Sequence, residues 1–115
     1  MWRTKIEKFP DKCRILLQPE SSDLTLGGYG LKDIVVYRGA PVSINALEKK
    51  LNEILEAKLL VKGNSLIVEL NANCEKLVEL VLNTINKMLA DAEKDLIRLE
   101  RVICESVKKY VEKNK

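Results

Sequence analysis

The sequence predicts an α+β fold: an antiparallel sheet of three to four strands backed by helices, with a long C-terminal helix. Three observations predict it. All five glycines and three prolines lie at or before Gly63 and cut the first half into short runs rich in β-branched residues. Gly63-Asn64 separates two such runs by two residues, the spacing of a tight hairpin. From Asn64 to Lys115 there is neither Gly nor Pro, and apolar residues recur at helical spacing. With 115 residues, of which 46% are hydrophobic and 32% charged, the chain can bury one core. It reads as a single domain, 1–115. Residues 1–32 hold an N-terminal strand and a flexible Gly-rich loop, 33–100 a strand-helix-strand-strand-helix core, and 101–115 a basic helical tail.

Cys13-Arg14-Ile15-Leu16-Leu17-Gln18, stopped by Pro19, reads as the first strand. Glu20 to Gly30 is polar and then glycine-rich, a mobile loop or a short irregular hairpin. Ile34-Val35-Val36-Tyr37 reads as a strand stopped by Gly39-Ala40-Pro41. Ser43 can cap a helix in which Ile44, Leu47, Leu51, Ile54 and Leu55 share one face, ending near Glu56. Strands at Lys58–Lys62 and Ser65–Asn71 then pair across Gly63-Asn64. That register sets Val61 opposite Leu66 and Leu59 opposite Val68, on one face with Leu70. Leu60 and Ile67 point to the other face, where another chain can cover them.

Asn73 caps the last helix. Its apolar stripe reads Leu77, Val81, Ile85, Met88, Ala92, Leu96, Leu99, Ile103, Val107, Tyr110, an eleven-residue period that drifts little on a straight helix. Unbroken, the helix covers about 42 residues and roughly 63 Å, against a radius of gyration of about 13 Å expected for a chain of this length. It either folds back near 89–95 or packs its second half on another chain. The interface candidates are therefore Leu60, Ile67, Met88, Leu96, Leu99 and Ile103.

The chain has no histidine, which excludes Ser-His-Asp and Cys-His catalysis, His-ligated metal and imidazole acid/base chemistry. Cys13, Cys74 and Cys104 form no C-x-x-C and read as buried small apolar residues or bystanders; a disulfide would leave one thiol over. Cys74 falls at a helix start, which favours a thiolate, but no base is in view. Gly27-Gly28-Tyr29-Gly30 lacks the Gly-Lys-Ser/Thr of a phosphate loop. Asp91, Glu93 and Asp95, interleaved with Lys94 and Arg98, read as a solvated face. No catalytic, cofactor or metal residue is expected, and the chain is read as no enzyme.

The formal charge is +3. The last eighteen residues hold six cations against three acids and account for that excess. Cations at a helix C-terminus suit the macrodipole; a second reading is phosphate contact with RNA through Arg101, Lys108, Lys109 and Lys113. Aromatic residues, 4% of the chain, are not interleaved with these, so base stacking is not expected. Without a leader or an apolar run of about 18 residues, the expected location is cytoplasmic and off the membrane.

The Gly63-Asn64 hairpin, the strand Leu66-Ile67-Val68-Glu69-Leu70, Ala72, and the helix positions Asn83-Thr84 and Lys87-Met88-Leu89 resemble the small Pcc-type (CTAG/Pcc family) subunit of the archaeal and eukaryotic KEOPS complex. The resemblance runs from about Asp33 to Glu100. Family members carry an alanine, an acid two positions on, an arginine seven on, and Asn-Ser eleven and twelve on. Ala72, Asn83 and Thr84 match, whereas Cys74 stands for the acid and Glu79 for the arginine, which suits a divergent paralogue. The resemblance implies a non-catalytic, cofactor-free subunit. It would form a homodimer or pair with a Pcc-type paralogue and dock on the Kae-type catalytic subunit of a complex that makes threonylcarbamoyladenosine in tRNA.

Overall fold

A computed structural model describes residues 1–113, with side chains to Lys108. Seven strands and two helices follow one another as β1 (Trp2–Lys8), β2 (Cys13–Pro19), β3 (Leu24–Gly28), β4 (Leu31–Tyr37), β5 (Ala40–Ser43), α1 (Ile44–Leu51), β6 (Ala57–Lys62), β7 (Ser65–Leu70) and α2 (Cys74–Lys113). The fold is α+β, as expected, with an antiparallel sheet of order β1-β2-β7-β6 and, in addition, a three-stranded antiparallel sheet β3-β4-β5.

The hairpin β6–β7 has the register its sequence sets, Val61 opposite Leu66 and Leu59 opposite Val68. Gly63 takes the positive φ of +60° that the turn requires and that most side chains disfavour. Ser43 caps α1, its hydroxyl accepting from the Ala46 amide at 3.0 Å. The helix stops at Leu51 rather than near Glu56. Asn52 ends it by bonding both the Glu48 carbonyl and the Ala57 backbone at the start of β6, which leaves Ile54 outside the helix and exposed.

One open alternative is decided and two local readings change. Glu20–Gly30 takes its hairpin alternative, with β3 paired to β4 and a register shift between Leu26 and Gly28. Gly39 does not stop a strand but turns one. Arg38 and Gly39, both at positive φ, form a two-residue loop whose twist suits the hairpin β4–β5. Trp2–Lys8, which lacks a clean alternating pattern, forms an edge strand along the whole of β2. Its Trp2 indole donates to Asn86 Oδ1 at 2.9 Å and so anchors the N-terminus on α2.

One core joins both sheets and both helices. Cys13, Ile15 and Leu17 of β2, Leu66, Val68 and Leu70 of β7, Val35 of β4, Leu47 and Leu51 of α1, and Val81, Ile85 and Leu89 of α2 are buried in a single cluster. Cys13 and Cys74 are joined by a disulfide, their Cα atoms 6.0 Å apart. This corrects the reading of the cysteines as unlinked. The spacing of 61 residues carries no local signal, and only the β2–β7 pairing, which runs Leu70 beside Cys13, brings the start of α2 to β2. Cys104 is left free and exposed.

A candidate interaction surface on the C-terminal helix

α2 is continuous, about 60 Å long at 1.5 Å per residue. It gives the molecule extents of 70 × 26 × 19 Å and a radius of gyration of 17.6 Å, against about 13 Å for a compact chain of this length. The absence of Gly and Pro after Gly63 leaves nothing to break it. Its first half lies against β2, β4, β5 and α1.

Coverage ends abruptly along one face. Val81, Ile85 and Leu89 are fully buried, Ala92 and Leu96 partly so. Leu96 lies beside the β4–β5 turn, where a Cβ on Gly39 would sit 3.9 Å from its Cδ2. From Ile97 on, every described side chain is exposed. Leu99, Ile103 and Val107 continue the same face at 56%, 53% and 57% exposure. The eleven-residue period is thus one stripe, half spent on the chain's own core and half open to solvent.

The edge of the body is fixed by charge. Arg38 of the β4–β5 turn pairs with Glu93 at 3.3 Å and Asp23 at 3.6 Å. The hydrogen bond to Glu93, then the Tyr37 and Glu93 charges, raise the Arg38 pKa further. The Tyr29 hydroxyl donates to the Gly39 carbonyl at 2.8 Å and braces the turn from the other side. Of the acidic trio, Glu93 thus has a structural role, while Asp95 lies 3.9 Å from Arg98 on the surface.

The predicted interface residues divide into three groups. Leu99 and Ile103 sit on the open stripe. Leu96 and Met88 are half-buried, Met88 in the wall of a groove of about 450 Å³ between α2 and the β5–α1 junction. The stripe passes through Leu89 rather than Met88, because a step of four from Ile85 keeps to the buried face. Leu60, on edge strand β6, is 41% exposed, but Ile67 is 7% exposed and offers little surface. β7 is a central strand, so Ile67 has Leu16 on one side and Leu60 on the other. The outer sheet face around them is polar, with Arg14 and Lys12 against Glu69 at 3.3 and 3.4 Å. Partial burial opposes the Glu69 charge, but Lys12 and then Arg14 outweigh it and hold its pKa below the usual carboxylate value. Lysines on both edge strands, Lys5 and Lys8 on β1 and Lys58 and Lys62 on β6, discourage edge-to-edge pairing.

Arg101 and Lys108 are exposed on the side of α2 away from the stripe. The side chains of Lys109 and Lys113 lie outside the described residues. Among the described residues no cluster of three or more Cys, Asp or Glu can hold a metal, and no helix is long and apolar enough to cross a membrane.

Fold and surface together define an α+β protein built around a helix whose apolar face outruns its own core. The chain belongs to the same family as a protein of Archaeoglobus fulgidus described as uncharacterized, with 38% identity over 113 residues, 96% of this chain and 93% of that one. No family model and no solved structure matches it.

Proposed function

We propose that this protein is a non-catalytic assembly subunit that associates through the free half of α2. The observation that carries this is the uncovered stripe Leu99-Ile103-Val107, continuous with the buried stripe of the same helix. Three aliphatic side chains in register, each over half exposed, gain most by packing on another apolar face, at about 25 cal/mol per Å² removed from water. A cytoplasmic setting goes with this reading. So does the absence of histidine, which leaves no familiar acid/base centre.

The test is native mass. The unmodified protein should sediment or elute as a dimer or larger species at micromolar concentration, and Leu99→Asp should reduce it to a monomer with an unchanged circular dichroism spectrum. A charged residue at position 99 that leaves the mass unchanged sinks the proposal.

The resemblance to Pcc-type subunits supplies a setting: pairing with itself or with a Pcc-type paralogue, and docking on a Kae-type catalytic subunit in tRNA modification. In its favour is the order from β5 on: strand, helix, hairpin and long helix, with Ala72, Asn83 and Thr84 at the matching positions, although β4 adds a further strand ahead of β5 that the expected order from Asp33 did not contain. Against it, β4 pairs with β3 and β5 rather than with the β6–β7 hairpin. Affinity purification of the tagged protein from its source, with mass spectrometry, should recover a Kae-type or Pcc-type protein in stoichiometric amount. Recovery of ribonuclease-sensitive partners instead favours a second reading, phosphate contact with RNA by Arg101, Lys108, Lys109 and Lys113. The exposure of Arg101 and Lys108 on the face opposite the stripe supports that reading.

A further inference from the structure

Deepening the assembly reading, on which it rests, we infer that the partner on the free half of α2 is a second copy of this chain lying antiparallel. Ile103 then sits near the twofold axis, and Leu99 of each protomer packs on the partner's Val107.

The stripe is symmetric about Ile103, with Leu99 four residues before it and Val107 four residues after. A twofold axis there matches apolar to apolar in three successive layers, the isologous arrangement of a closed dimer. The free helix from Ile97 to Lys113, about 25 Å, is long enough to hold all three.

Two features decide the direction. The first is steric. The body covers the stripe side of α2 as far as Leu96, where the Arg38–Gly39 turn closes over it. In a parallel pair both bodies would lie at the same end and on the inner side of their helices, in the space that the partner's helix and body must fill. An antiparallel pair puts them at opposite ends.

The second is charge. Asp95 and Glu100 border the stripe on opposite sides, five residues apart. In parallel, in-register helices, a residue on one flank faces the partner's residue five further on across the seam. Asp95 would meet the partner's Glu100 twice over, carboxylate against carboxylate. Antiparallel packing brings like flanks together instead. With the axis at Ile103, Glu100 falls level with the partner's Ser106, about 9 Å along the axis from the partner's Glu100, and Asp95 no longer faces Glu100 across the seam.

Cross-linking reads the direction. In a Cys104→Ser background, which removes the free exposed thiol, Leu99→Cys and Val107→Cys variants are made separately, one with a size tag. They are mixed and oxidised with copper phenanthroline. A mixed Leu99→Cys/Val107→Cys disulfide should dominate on a non-reducing gel, several-fold over either homodisulfide. Homodisulfides alone would establish a parallel pair and overturn the inference. Absence of any disulfide in a protein whose native mass is dimeric would place the interface elsewhere and also overturn it. A monomeric mass for the unmodified protein would instead remove the assembly reading itself.

Discussion

Replacing Ile85 by alanine lowers the unfolding free energy by about 2–5 kcal/mol, whereas Ile103→Ala changes the stability of the monomer by less than about 0.5 kcal/mol. The two residues are the same amino acid on the same face of one helix, eighteen positions apart. Ile85 is fully buried within the cluster that joins both sheets, so its truncation loses transfer free energy and leaves a cavity that the rigid sheets cannot close. Ile103 is 53% exposed and leaves no cavity. Urea unfolding followed by circular dichroism, at a concentration where the chain is monomeric, measures both. A cost at Ile85 below about 1 kcal/mol would mean that α2 is not docked on the body as described. An equal cost at both positions would mean that the free half is covered within one chain.

Reducing the Cys13–Cys74 disulfide is the second large effect. The bond closes a loop of about 60 residues, for which the chain-entropy account gives about 4 kcal/mol of stabilisation. It also ties the N-terminal end of α2 to β2, beside the Lys8–Glu75 ion pair. Denaturant unfolding with and without a phosphine reductant should show the loss as a lower midpoint. Thiol titration provides the independent check: the unreduced, denatured protein should show one reactive thiol, Cys104, and the reduced protein three. Three thiols without reductant would mean that the bond does not form. Cys13 and Cys74 are almost fully buried, so reduction of the native protein should be slow and limited by opening of the α2 start.

The parts of the fold read correctly in the sequence are those governed by local rules. Gly63-Asn64 between alternating runs determines the β6–β7 register, because a slip of one residue would turn Leu66, Val68 and Leu70 outward. Ser43 caps α1 because its hydroxyl satisfies an amide that the helix leaves unpaired. The parts missed or left open depend on the strand beside them rather than on their own residue pattern. Trp2–Lys8 is a strand because β2 offers it an edge, and of the two readings open for Glu20–Gly30 the irregular hairpin holds because β4 pairs with Leu24–Gly28. Ile67 is buried because β7 lies at the centre of its sheet, a position that alternation within one strand does not reveal. Arg38 in a left-handed turn has no sequence signature, since asparagine or glycine is the usual occupant. It is held there by Glu93 and Asp23.

The candidate surface divides in the same way. By itself the sequence determined that residues after Gly63 form an amphipathic helix too long for a domain of this size, and that histidine-based chemistry is absent. Periodicity and composition are properties of the chain alone. Only the tertiary structure decided that the helix stays whole, that cover ends between Leu96 and Ile97, and that Cys13 meets Cys74. Those outcomes depend on how far the two sheets extend along α2 and on which strand edge lies beside its start. Both are set by pairings between residues tens of positions apart, to which no local pattern is sensitive.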